Sequence, residues 1–341
     1  MKPYPKLLFF LLCVLISVNA YSQSNDAKTL VEQGVALNDS GKYDQAIAKY
    51  NEALKINPRY ENAYYEIGYT LFTSGKEKEA IPYLVKLIAL DPQSAAGFDM
   101  LGSIYDDLKE PDKAIEYYKQ GIKSNSKYQR LHFNLAIAYY RQGKYLEADT
   151  SAVEAIKLDP KHASSQRIYA MTTYKEGKRG RSLLAWCSFL LLEPQSKRSP
   201  EAFAYVKNIL NYGLKKTGER SVNITYSPDS GPANLMMPLA VINATENKKG
   251  LTAIDSVQLQ LESLFKVAHT ITDDKEQPFL LNYYSNYFEK LGTSGNMPAF
   301  IHYISLSAYR DEDQAWFKEH DKELKDLDKW ITSTERHFEG K

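Results

Sequence analysis

The chain has 341 residues, 43% of them apolar, which is room for one large domain or two ordinary ones and enough for a sizeable core. Its 43 basic and 42 acidic side chains leave a net charge of +1, so no broad field draws nucleic acid or anionic lipid to it. The balance argues against a nucleic-acid binder.

The first segment reads as a leader. Lys2 and Lys6 precede an apolar run of twelve residues, Leu7 to Val18, with small residues at candidate cuts after Ala20 and Ser22. Twelve apolar residues are too few to span a bilayer, which needs about 20. Residues 1–22 are therefore expected to be a removed signal peptide, and the protein to be exported, periplasmic or extracellular. Cys13 lacks the preceding small residues of a lipoprotein site. Cleavage leaves only Cys187, hence no internal disulfide, and no transmembrane segment is expected after signal removal.

From Ala27 the chain repeats every 34 residues, in blocks 27–60, 61–94, 95–128, 129–162 and 163–196. The eighth place holds Gly34, Gly68, Gly102, Ala136 and Ala170, and the twentieth holds Ala46, Ala80, Ala114, Ala148 and Ser182. Apolar residues at three- and four-residue spacing predict two helices per block, at places 1–14 and 18–31. Small residues at those two places let the helices approach closely. Glycine at the fifteenth place (Gly41, Gly75, Gly143, Gly177) suits a left-handed helix end. The proline at Pro58, Pro92, Pro160 and Pro194 is expected to stop the second helix. The third block departs at Lys109, Gly121 and Ser126, and the fifth at Ser182.

This pattern resembles the tetratricopeptide repeat (TPR) family, whose signature is a 34-residue helix–turn–helix period. The resemblance covers 170 of 341 residues. It implies an all-α superhelical solenoid spanning 23–196, with stacked repeats sharing one core. It also implies an inner wall made by the first helix of each repeat. Here that wall would carry Tyr65, Tyr69 and Phe72, then Asp99, Ser103 and Asp106, then Arg130, Phe133, Ile137 and Tyr140, then Arg167, Met171 and Tyr174. An aromatic wall with both signs of charge suits a protein or peptide partner. The alternative is that these aromatics pack on the chain's own C-terminal part. The family's lysine, asparagine and arginine clamp for peptide C-termini is absent. Asn134 holds its middle place, but Asp99, Ser103, Ser164 and Ile168 hold the others.

A helical C-terminal domain, 197–341, is expected to dock on the last repeat, because Leu183 to Leu192 is apolar on nearly every side. Cys187 would be buried in that contact. Ser199 reads as the N-cap of a helix with Pro200 in its first turn, followed by an extended segment around Val222, Ile224 and Tyr226. Helices are then expected over about 233–247, 251–272, 277–292 and 297–309, with one last helix from Asp311 toward Phe338. The repeats followed by this extension resemble secreted TPR proteins of Gram-negative bacteria, which implies no reaction.

Chemistry-bearing motifs are missing from the sequence. His132, His162, His269, His302, His320 and His337 are scattered, and no phosphate loop, nucleophile elbow or Cys/His arrangement occurs. No metal or cofactor is expected. The basic cluster Lys175, Lys178, Arg179, Arg181, Lys197 and Arg198 reads as a solvated edge or a contact for acidic groups. The sequence thus points to a non-catalytic scaffold or adaptor of the cell envelope holding a partner whose identity it does not reveal. The rival readings are an enzyme or ligand carrier with a site between the solenoid and the C-terminal domain, and a purely structural, self-associating protein.

Overall fold

A computed structural model describes residues 25–216, 222–224, 231–246, 248–272, 278–334 and 336. The expected leader, His337 and Tyr226 lie outside these. The chain divides into two compact units, Met1–Ala138 and Tyr139–Lys341.

The first unit is a series of helical hairpins. Its helices are α1 (25–39), α2 (Tyr43–Ile56), α3 (Glu61–Thr73), α4 (Glu77–Leu90), α5 (Ala95–Asp107), α6 (Pro111–Ser124) and the bulk of α7 (Gln129–Arg141). Each second helix occupies places 17–30 of its block without drift, which is why the core repeats too. Ala46, Ala80 and Ala114 are fully buried, as are Ala53, Ile67, Leu84 and Leu101. The small eighth place has a defined tenant. A Cβ on Gly34 would strike the ring of Tyr50, one on Gly68 the side chain of Leu84, and one on Gly102 the ring of Tyr118. In every case the intruder is the twenty-fourth residue of the same block.

Both hairpin ends have a clear chemistry. The fifteenth place adopts the left-handed region in every block, with φ of 73° at Gly41, 77° at Gly75, 63° at Lys109, 72° at Gly143 and 77° at Gly177. Around it, Lys42 N–H donates to Leu37 O (2.9 Å) and Gly41 N–H to Asn38 O (2.8 Å), the paired bonds of a Schellman end. The expected proline stop needs correction. The third block ends its second helix at the same place without a proline. What the first four blocks share is an acceptor at the thirty-first place: Asn57, Asp91, Asn125 and Asp159 each accept the N–H two residues on, at 3.0, 2.9, 3.2 and 3.1 Å. An Asx turn ends each helix.

The second unit opens with the end of α7 and continues through α8 (Tyr145–Leu158), α9 (Ala163–Lys175), α10 (Arg179–Leu192) and α11 (Ser199–Leu210). Ser199 is not the N-cap. It is the first helical residue, and its hydroxyl donates back to Glu193 O at 2.6 Å. The helix α11 keeps the 34-residue register as the first helix of a further half-repeat. Arg167 pairs with Glu201 (3.1 Å) and Arg198 donates to Ser164 (2.9 Å), both 34 positions apart.

A two-stranded antiparallel ribbon follows, Leu214–Lys216 (β1) with Val222–Ile224 (β2). Next come α12 (Gly231–Thr245), α13 (Ala253–Phe265), whose Thr252 and Asp255 form a capping box, and the short α14 (Ala268–Thr272). A longer helix starts as α15 (Pro278–Leu280), widens into a π-helical turn at Leu281–Ser285 and ends as α16 (Asn286–Thr293). The chain finishes with α17 (Met297–Ser305), α18 (Arg310–Glu319) and α19 (Asp321–Ser333). The single last helix expected from the sequence is therefore two. His320 leaves helical geometry (φ −126°, ψ 39°), and its ring stacks on Trp316 at 4.2 Å. Helix 251–272 is likewise divided after Phe265, and 297–309 stops at Ser305.

The helix α10 is the centre of this unit. Every residue from Gly180 to Leu190 is buried, Cys187 included, and its neighbours are α9, α11, α12, α14, α17 and the π turn. Gly180 lies so close to α14 that a Cβ there would strike the Ile271 carbonyl. The ring of Trp186 stacks on Tyr205 at 4.8 Å, and Phe265 packs its ring on those of Phe288 (4.8 Å) and Phe300 (5.6 Å).

Candidate interaction face

Three helices build the candidate face of the first unit: α3, α5 and the first turns of α7. Tyr65 and Tyr69 are one turn apart on α3, and their rings stack at 6.4 Å with planes 8° apart. Tyr69 is 40% exposed, a large apolar area left open to solvent. Phe72, one turn on, is half-buried against the hydrophobic core. Phe133 on α7 is half-buried.

An acid anchors the face. Asp99 on α5 is 2% exposed. It accepts from the Asn134 amide at 2.7 Å and pairs with Arg130 at 3.0 Å, while Ser103 donates to its backbone carbonyl at 2.9 Å. Burial pushes the Asp99 carboxyl above the usual aspartate range, against Arg130 and Asn134, which draw it down. Burial likewise raises the Tyr65 and Tyr128 hydroxyls, and both feel Arg130 and Asp99. Arg130 keeps a mostly exposed side chain (62%) while tied to a buried anion. The arrangement presents a guanidinium and tyrosine rings together.

The remaining expected residues lie in the second unit and meet other partners. Tyr140 packs on Tyr145 at 5.6 Å, and burial and Tyr205 raise its hydroxyl. Arg167 pairs with Glu201, and Tyr174 meets the edge of Tyr205 at 5.2 Å. Both Arg167 and Tyr174 thus meet side chains of α11. The eight expected residues divide accordingly, with Tyr65, Tyr69, Phe72, Arg130 and Phe133 in one unit and Tyr140, Arg167 and Tyr174 in the other.

The basic cluster is largely spent inside the second unit. Lys178 pairs with Asp149 (2.7 Å) and Glu176 (3.1 Å), and buried Arg181 donates to Thr272 O at 2.9 Å. Arg179 lies 3.3 Å from the Tyr212 ring centre, and Arg198 holds Glu193 at 2.5 Å. Lys175 and Lys197 stay exposed. Among the histidines, His302 meets buried Asp313 at 2.7 Å, and Ser305 donates to the other oxygen of that carboxylate at 2.8 Å. The serine points at the acid and away from the imidazole, which is a structural knot. Among the described residues, no group of three acids, histidines or cysteines could hold a metal.

The family descriptions fall on the repeat blocks. "Tetratricopeptide repeat" matches residues 61–94, 96–128 and 129–162, and "TPR repeat" matches 34–75. Residues 34–162 are thus tetratricopeptide repeats. Similar TPR proteins include Hsp70-Hsp90 organizing protein 1 of Glycine max, 34% identical over 100 residues, which are 29% of this chain and 18% of that one. TPR repeat-containing protein YpiA of Bacillus subtilis is 28% identical over 159 residues, 46% of this chain and 37% of the other. The solved structure of pilF from Pseudomonas aeruginosa is 18% identical, with a TM-score of 0.49 over 55% of this chain and 90% of that chain. The chain thus spans well under half the length of these two curated relatives.

Proposed function

We propose that this TPR protein is a non-catalytic scaffold or adaptor of the cell envelope, and that it holds a protein or peptide on the face carrying Tyr65, Tyr69, Asp99, Arg130 and Phe133. The observation that carries the reading is the stacked Tyr65–Tyr69 pair, open to solvent at Tyr69, beside an exposed guanidinium anchored on a buried carboxylate. Tyrosine and arginine are the residues that dominate binding energy at interfaces, because each offers broad contact area with a polar handle. A fixed guanidinium also loses little freedom on meeting a partner carboxylate. The name of the soybean relative, an organizing protein for two others, accords with a scaffold role.

Export is part of the proposal and rests on the leader-like residues 1–22. Fractionation of the producing cells and N-terminal sequencing of the mature chain test it. Capture from envelope extracts with the full chain tests the face. Proteins held by the wild type should be missing from the Tyr65→Ala/Tyr69→Ala capture. An unchanged set sinks the assignment.

A further inference from the structure

The second unit holds a cavity of about 260 Å³, lined by Pro160, Lys161, Leu191, Leu192, Tyr283, Tyr287, Ile331, Thr334 and Arg336. It lies between the repeat part and the last helices of that unit, away from His269 and His302. Its walls are mostly hydrocarbon and aromatic ring, and the two charges in its lining are both positive.

Arg336 is the unusual member. Its guanidinium sits 4.0 Å from the Tyr287 ring centre, 4.9 Å from that of Tyr283 and 5.5 Å from that of Phe288. Nη1 donates to Ser188 Oγ at 2.9 Å, and the group also hydrogen-bonds the Tyr287 hydroxyl. No carboxylate pairs with it among the described residues. A guanidinium carries five N–H donors, and a half-buried one without an anion is costly wherever its donors are shut off from water, unless rings and acceptors surround it. The three rings supply part of that stabilisation through their negative faces. The donors beyond Ser188 and Tyr287 call for an acceptor. The Tyr283 hydroxyl is already engaged, donating to Pro160 O at 3.0 Å and accepting from Gln166 at 2.8 Å.

We propose that this cavity binds a small carboxylate with an apolar body, the carboxylate on Arg336 and Lys161 and the body against Leu191, Leu192 and Ile331. Size permits it: a cavity of about 150 Å³ lined by leucine, isoleucine and phenylalanine takes up benzene. Arginine matches a carboxylate bidentately, and Lys161 adds a second cation at the exposed end. A neutral ligand of the same body would leave the guanidinium donors unmet. A cationic one would face two like charges.

Octanoate, octan-1-ol and octylammonium are the probes, titrated into the full-length mature chain by calorimetry and by tryptophan fluorescence. Trp330 reports locally, since its ring lies 5.0 Å from that of Tyr287. The expected result is saturable binding of one octanoate per chain, at least tenfold tighter than octanol, with no octylammonium binding. Arg336→Met should weaken octanoate at least tenfold and leave octanol unchanged. Lys161→Met, at an exposed position, should weaken octanoate a few-fold with the fold intact, which decides the matter if Arg336→Met fails to fold. Octanoate binding no tighter than octanol, no saturable binding up to millimolar octanoate, or full octanoate affinity in Lys161→Met and any folded Arg336→Met would each overturn the assignment. The peptide-binding face plays no part in this test, since Tyr65→Ala/Tyr69→Ala should leave octanoate binding untouched.

Discussion

Asn134 donates its side-chain amide to the buried carboxylate of Asp99 at 2.7 Å. The amide that would be the centre of a peptide clamp in this family is therefore turned inward, onto a residue of the preceding repeat. The same carboxylate holds Arg130. One buried acid fixes the two polar side chains of the face, and the tyrosines beside it are left to supply contact area. In the proposed role, binding therefore falls to Tyr65 and Tyr69, with Asn134 as their support.

Arg130→Met should cost stability in a pH-dependent way. Burial places the Asp99 proton affinity above its unfolded value, so the folded state binds more protons than the unfolded state, and this group's contribution is most favourable in acid and declines as pH rises through the folded pKa. Removing Arg130 raises that pKa further. The variant should match the wild type only well below the ordinary aspartate pKa of about 3.9, where the carboxyl is protonated folded and unfolded, and lose ~1 kcal/mol at pH 7 because the pair is partly screened. Urea unfolding at the two pH values measures it. Equal losses at both would contradict the electrostatic role of Arg130.

Lys109 is the non-glycine residue with positive φ among the described residues, and its neighbours in register are all glycine. Lys109→Gly should therefore stabilise the third hairpin by about 0.5–1 kcal/mol, since the left-handed strain removed exceeds the entropy a glycine adds to the unfolded chain. A denaturant midpoint that falls would refute this.

Gly180→Ala should destabilise the second unit by roughly 2–3 kcal/mol, because the new methyl meets the backbone of α14, which cannot swing aside as a side chain can. Thermal unfolding followed by Trp fluorescence reads it directly. Little change would mean that α10 and α14 are less tightly apposed.

Truncation after Ser196 removes α11 and every later element that covers α10. Leu183, Leu184, Trp186, Phe189 and Leu190, all fully buried in the whole chain, would meet water. The truncated chain should aggregate or lose its last hairpin. A soluble, fully helical monomer with a sharp unfolding transition would count against the docking.

Most of the repeat architecture was legible because it is written in local chemistry. The small eighth place, the glycine turn and the apolar stripes each act within one block, so Gly34 and Tyr50 meet whatever lies elsewhere. The Asx turn at Asn57 and Asp91 was equally local but was masked by the adjacent proline, which looked like the cause. The break at His320 was not legible: the charged stripe on either side reads as one helix, and the interruption coincides with a ring stacked on Trp316. The site was read less well. Tyr65, Tyr69 and Arg130 stand together as their register places suggested. Arg167 and Tyr174 meet α11, a helix whose membership in the same register is carried by Glu201 and Tyr205 rather than by a consensus residue. Arg336 is nearly 150 positions from Ser188, and no spacing rule links the two.

The central claim is that the Tyr65–Tyr69 face holds a partner. Its most direct measurement is peptide selection on the full chain, with calorimetry of the selected peptides against wild type and Tyr65→Ala/Tyr69→Ala. At least a tenfold loss of affinity is expected, with a modest fall in the thermal midpoint because Tyr65 is half-buried against the core and Tyr69 is 40% exposed. Peptides that bind the double variant as tightly as the wild type would contradict it.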